Sequence, residues 1–192
     1  MRKIPTLFVR DFERDNGRYV TREVNPGCEW VLDGEGIATR KIDGTCVLIR
    51  DDGTVAARRE VKPGKTPPPG FEQVEADETT GKAVGWEPAD QSSFAKLLAG
   101  IDTSSLAPGT YELIGPKVNG NPEGYAEHAL VPHGSIPVEV PDRSYDSIAE
   151  WAAAHPTVEG IVFWRKQGDP DAGMVKIKRR DFRTDRRSLD RC

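Results

Sequence analysis

Short apolar runs of about five residues, separated by turn signals, recur along this chain and constrain its fold more than any other feature. Residues 4–9, 110–114, 129–131, 158–165 and 174–178 read as strands. Residues 37–61 read as a hairpin, with 37–50 as one arm, Asp51-Asp52-Gly53 as the turn and 54–61 as the other arm. Two stretches carry helical spacing. One covers residues 91–101, with Gly100 near its end. The other runs from Tyr145 to Ala154, capped by Ser144 and stopped by His155-Pro156. Residues 10–36 are turn-rich. Residues 62–90, with Pro67-Pro68-Pro69-Gly70, read as a long loop, either covering a site or merely tolerated, with Trp86 as a core anchor inside it. Residues 115–127 form a Gly- and Asn-rich loop. There is no internal repeat and no strict βαβ alternation. The pattern predicts an α+β fold with largely antiparallel sheets.

Length and composition narrow the classes. The 192 residues allow one substantial domain with a core, and 30% charged against 36% hydrophobic residues implies a polar surface. No apolar run approaches the roughly 18 residues needed to cross a membrane. The first ten residues are too short and too interrupted in apolar content for a signal peptide. Cys28, Cys46 and Cys192 are odd in number and scattered, giving neither a disulfide framework nor a zinc pattern, so the cytoplasm is the expected compartment. A monomer is the default expectation. The net charge of −4 argues against broad, nonspecific nucleic-acid binding. Locally the balance reverses. Residues 174–192 hold eight Lys or Arg against three Asp, which is either a solvated tail or a phosphate-binding strip.

Lys41-Ile42-Asp43-Gly44 stands directly before the apolar run Thr45-Cys46-Val47-Leu48-Ile49. A lysine two residues before Asp-Gly is one way to present an amine nucleophile to a nucleotide phosphate. The four-residue pattern is weak alone, but other charged residues lie in or beside strands in order after it. They are Arg58, Glu112 in Tyr111-Glu112-Leu113-Ile114-Gly115, Glu159 in Val158-Glu159-Gly160-Ile161-Val162-Phe163, and Lys176 and Lys178 in Met174-Val175-Lys176-Ile177-Lys178. Strand alternation puts Lys176 and Lys178 on one face and Val175 and Ile177 on the other. Two lysines on one strand face converge well on a single phosphate.

These elements resemble, in order, the motifs of the covalent nucleotidyltransferase superfamily of ATP-dependent ligases and mRNA-capping enzymes. The chain further resembles the small ATP-dependent RNA ligases, a group that includes a human 5′-phosphate/3′-hydroxyl RNA ligase. That resemblance takes in Lys41 to Cys46, Ala57-Arg58, Glu112 to Gly115, Asn119-Gly120-Asn121-Pro122, Pro132-His133-Gly134 and Glu159 to Val162. It implies an adenylation-domain fold and ATP-dependent joining of RNA ends through a lysyl-AMP and an adenylylated RNA. It implies Lys41 as the nucleophile. Neutral amine is needed for attack, and Arg58, Lys176 and Lys178 nearby would disfavour the charged form. Asp43, Gly44 and Arg58 are implied at the nucleotide ribose and phosphate, and Glu112 at the ribose or a metal-bound water. Glu159 is implied as the ligand of Mg²⁺ or Mn²⁺, and Lys176 and Lys178 at the α-phosphate. Ile161 or Val162 could meet the purine face or simply pack in the core. His133 lies in a matched stretch but has no assignable role from sequence.

Two departures qualify the resemblance. Arg40 stands where many members carry an acidic residue. Only fourteen residues follow Lys178, so the expectation is a single minimal domain over 1–192, with a basic tail at 179–192 and no separate C-terminal domain. Three alternatives stay open from sequence. They are a ligase of DNA or nicked hybrid duplex, a transferase using GTP, and a nucleic-acid-binding module that keeps the fold without chemistry.

Overall fold

The computed structural model describes residues 1–78 and 80–183. In chain order the elements are β1 (Phe8–Arg10), α1 (Phe12–Asp15), β2 (Val20–Val24), α2 (Glu29–Leu32), β3 (Ile37–Lys41), β4 (Thr45–Ile49), β5 (Val55–Val61), β6 (Glu72–Asp77), β7 (Lys82–Pro88), α3 (Ala95–Leu98), β8 (Gly109–Ile114), β9 (Ala129–Pro132), α4 (Tyr145–Ala154), β10 (Gly160–Trp164) and β11 (Met174–Lys178). Every strand ladder is antiparallel among the described residues. The α+β, largely antiparallel expectation therefore holds. Among these residues no helix is long and apolar enough to cross a membrane.

The chain divides into two compact units. The first comprises Met1–Lys3 and Ile42–Ser135. It contains a six-stranded sheet of order β6-β7-β5-β4-β8-β9. One face packs Val47, Ala57 and Leu113 on Leu98 of α3 and on Val118. The other face carries Cys46, Ala56 and Trp86, joined by Met1, Leu48 and Val74. The second unit comprises Ile4–Lys41 and the described residues from Ile136 onwards. Its three-stranded sheet has the order β11-β10-β3, and β1 pairs with β2 beside it. All five residues of β10 are buried, as a central strand requires. Ile161 and Phe163 from β10, Val175 and Ile177 from β11, and Ala38 from β3 form a core with Ile148 and Ala152 of α4. Ser144 caps α4, its Oγ accepting from the Ser147 N–H.

Three sequence expectations need correction. Residues 37–50 are not one hairpin arm. They are two strands in two different sheets, separated at Ile42-Asp43-Gly44. Residues 62–90 are not one long loop, because β6 and β7 lie within them and pair antiparallel. The misreading has a physical source. β6 is an edge strand whose Glu72, Glu75 and Asp77 give it loop-like composition, and charge on an edge is how sheets discourage further pairing. Trp86 is nonetheless the buried anchor expected of it. The helix over 91–101 shrinks to Ala95–Leu98. Ser92 explains this, since its Oγ donates to the Ala89 carbonyl and accepts from the Phe94 N–H, a local turn that competes with helix.

Candidate active site

In the second unit, Lys41, Gly160 and Lys178 stand in one row across β3, β10 and β11. Alternation puts Lys41, Thr39, Val162, Lys176 and Lys178 on the same face of that sheet, while Ile161 and Phe163 point into the core. The central position of the row is glycine for a steric reason. A Cβ there would lie 2.1 Å from the Ile177 carbonyl oxygen and 2.7 Å from Lys178 Cα. Without it, β11 approaches closely and the two flanking lysines reach over the gap.

Glu159, immediately before that glycine, joins them. Lys41 Nζ donates to Glu159 Oε2 at 2.5 Å, and Lys178 Nζ approaches Glu159 Oε1 at 2.5 Å. All three side chains are largely buried, at 18%, 13% and 17% exposed for Lys41, Glu159 and Lys178. Burial is the largest influence on the Glu159 carboxyl and pushes it up. The charges and hydrogen bonds of Lys41 and Lys178 together outweigh burial and hold it below the ordinary carboxylate range. In this ion pair the Lys41 Nζ is engaged by the Glu159 carboxylate. The sequence reading gave Lys41 cationic neighbours only; its closest charge is a carboxylate. Lys176, on the same face as Lys178 as expected, has its backbone bonded to Leu7 and Pro5. Behind the row, Asp181 accepts from the Lys178 N–H and from Arg10 and is almost fully buried, which fixes the end of β11.

The first unit holds the remaining sequence candidates. Cys46 pairs with Glu112, and Arg58 with Trp86. Extending the β4–β5 register by one residue sets Arg58 beside Cys46, so Arg58, Cys46 and Glu112 share one face of three adjacent strands. Arg58 Nε is buried without a hydrogen-bond partner among the described residues. Gly44 donates its N–H to Glu112 Oε1 at 3.0 Å. Gly44 is required there, because a Cβ would lie 2.1 Å from the Leu113 carbonyl oxygen. Asp43 is held from both sides, its N–H donating to Glu123 Oε1 and its Oδ1 accepting from Asn119 Nδ2. Asn119 Nδ2 also donates to the Gly44 carbonyl at 2.8 Å.

Sequence reasoning assigned no role to Asn119, Glu123 or His133. The run Lys117, Asn119, Gly120, Asn121 sits at positive φ, the conformation that Asn and Gly accept most readily. The Asn-Gly-Asn spelling was the available signal for a shaped loop. His133 Nε2 lies 2.7 Å from Glu112 Oε2, and its signal was its place two residues after Val131, which pairs with Glu112.

The sequence model of RNA ligase 1 matches residues 89–184, half of the chain. The chain belongs to the RNA ligase 1 family. RNA ligase 1 of Rattus norvegicus is 23% identical over 246 aligned positions, covering 84% of this chain and 76% of that protein. RNA ligase 1 of Pongo abelii is 30% identical over 98 residues, covering 47% of this chain and 29% of the relative. Within this RNA ligase 1 family member, the matched region contains Glu112, His133, Glu159, Lys176 and Lys178.

The basic strip changes in content. Arg183 pairs with Asp11 and Asp15 and lies over the Tyr19 ring, so its charge is spent within its own unit. Arg179 and Arg180 are exposed. The remainder of the tail, from 184, lies outside the described residues.

Proposed function

We propose that this protein is an ATP-dependent RNA ligase with an adenylation-domain fold, joining 5′-phosphate to 3′-hydroxyl ends through a lysyl-AMP. The observation that carries this reading is Lys41 held beside Lys178 by one carboxylate, Glu159, over a glycine gap. A structural ion pair needs one lysine, whereas a phosphate-transfer pocket needs a nucleophile and a second cation on the same phosphate.

In the first step the Lys41 Nζ forms a bond to the α-phosphorus of ATP. The bond from that phosphorus to the bridging oxygen breaks, and pyrophosphate leaves. Nζ must shed a proton, and Glu159 Oε2 lies within hydrogen-bond reach to accept it. Lys178, with Lys176 on the same strand face, neutralises charge as pyrophosphate departs. Arg58, whose buried Nε has no hydrogen-bond partner among the described residues, suits an incoming phosphate oxygen, and Asp43, Gly44 and Glu112 are assigned to the nucleotide. AMP then passes to the RNA 5′-phosphate, and a 3′-hydroxyl displaces it. Each transfer reuses the same positioned cations.

Among the described residues no cluster of three or more His, Cys, Asp or Glu could hold a metal alone. A single carboxylate such as Glu159 still fits Mg²⁺ or Mn²⁺, which in nucleotide sites are held by one or two carboxylates plus substrate phosphates. When bound, the ion would supply further neutralisation of the triphosphate.

The test is incubation with α-labelled ATP, and in parallel α-labelled GTP, with Mg²⁺ or Mn²⁺. A label that survives denaturation with ATP and vanishes in Lys41→Ala supports the reading. Absence of label with either nucleotide in every metal overturns it, and label from GTP alone reassigns the nucleotide. Ligation assays with RNA, DNA and nicked hybrid ends then separate the acceptors.

A further inference from the structure

Glu112 is a charged side chain on a strand at the sheet interior, only 11% exposed, and its two oxygens are occupied differently. Oε1 accepts from the backbone N–H of Gly44 at 3.0 Å. Oε2 lies 2.7 Å from His133 Nε2, and the His133 side chain is 16% exposed. The other ring nitrogen, Nδ1, is buried with no partner among the described residues. This decides which nitrogen carries the proton. A proton on Nδ1 would be a buried donor left unmade, whereas a proton on Nε2 is donated to a carboxylate.

The histidine is itself fixed. Its backbone N–H donates to the Thr110 carbonyl, which extends the β8–β9 ladder by one step. The Ser135 N–H donates to the Pro132 carbonyl, closing a turn that contains Gly134 at φ 76°. The ring therefore comes from a rigid corner and not from a free loop.

We infer that His133 is a positioning residue for Glu112, locking the carboxylate between an imidazole N–H and the Gly44 N–H so that its remaining lone pairs are aimed at a hydroxyl of the bound nucleotide. This rests on the reading that Glu112 meets the nucleotide. A carboxylate held at one oxygen can rotate about its last torsion. Held at both, it presents fixed acceptor directions, and fixed acceptors discriminate substrates that offer a hydroxyl from those that lack it.

The experiment measures the rate of Lys41 labelling from α-labelled ATP, over a range of ATP concentrations, in wild type, His133→Ala, His133→Gln and His133→Asn. Gln can place an N–H where Nε2 lies; Asn places one nearer Nδ1. His133→Ala should lower kcat/KM about tenfold, the scale seen when a group that orients a functional ligand is removed. His133→Gln should recover to within about threefold of wild type, and His133→Asn should not. In a Glu112→Gln background, His133→Ala should change the rate by less than about twofold, since the two groups act as one. Wild-type preference for ATP over 2′-deoxy- and 3′-deoxy-ATP should shrink in His133→Ala, a ratio that does not depend on the amount of folded protein. Thermal melts of the near-isosteric Gln and Asn variants separate folding from positioning.

A wild-type label with no loss in His133→Ala overturns the inference while leaving the ligase reading intact. So does a loss that Gln and Asn share equally, or one undiminished in the Glu112→Gln background. No wild-type label in any metal removes both.

Discussion

Glu159 holds Lys41 with one oxygen and Lys178 with the other, and this makes it a stability determinant as well as a site residue. Its carboxyl is held below the ordinary range in the folded protein. A depressed carboxyl contributes stability above the unfolded-state value and loses it as pH falls through the folded value. Glu159→Gln should therefore destabilise the protein at pH 7 by roughly 2 kcal/mol, the scale of hydrogen bonds to charged groups. The difference from wild type should narrow as pH drops below the ordinary glutamate range, near 4.3. Urea unfolding at pH 7 and at acid pH, with no divalent ion present, measures it. A gap of the same size at both would show that the two ion pairs contribute no net linkage.

At the scale of elements, the glycine in the Lys41–Gly160–Lys178 row does the arranging. Gly160→Ala would place a methyl 2.1 Å from the Ile177 carbonyl oxygen and between the two lysines. The strands must part, with an overpacking cost of about 1–3 kcal/mol. Lysyl labelling should fall further than the lower melting temperature explains, because Lys41 and Lys178 would no longer share Glu159. An unchanged melting temperature would mean that β11 tolerates the shift. This row also shows what sequence could convey. Alternation within Met174–Lys178 fixes which face carries the lysines, and the alternation of buried with half-buried residues along β11 bears it out. Glu159 before Gly160 was legible as an ordered charge beside an apolar strand. The pairing of Glu159 with both lysines was not, because it depends on which strands become neighbours. Arg183 shows the same limit, since its partners Asp11 and Asp15 lie more than 160 residues earlier. β6 escaped because an edge strand with three carboxylates has the composition of a loop.

Across the whole molecule, the two units are assembled from the chain in different ways. The six-stranded sheet uses one continuous segment, β4 to β9, and every pairing in it is made between residues 45 and 132. The other unit is discontinuous, for β10 takes β11 from its own segment but β3 from residues 37–41. Composition does not mark the join, since the break between Lys41 and Ile42 falls inside a run of strand-forming residues. A physical consequence follows from this asymmetry. Six antiparallel strands with a packed face under α3 exceed the three that independent stability requires. The fragment 42–135 should fold alone, giving a β-sheet circular dichroism spectrum and a cooperative urea transition. Trp86 is the one tryptophan within it, so its fluorescence reports that transition without interference. The fragment 136–183 should show no transition by itself, because β10 would lack β3, one of its two neighbours, and the core residues Leu7, Phe8, Trp30 and Val31. Adding residues 4–41 as a separate peptide should restore one, at a midpoint that rises with peptide concentration. A fragment 42–135 that unfolds without cooperativity would mean that the large sheet depends on the rest of the chain, and that the compact units are not units of folding.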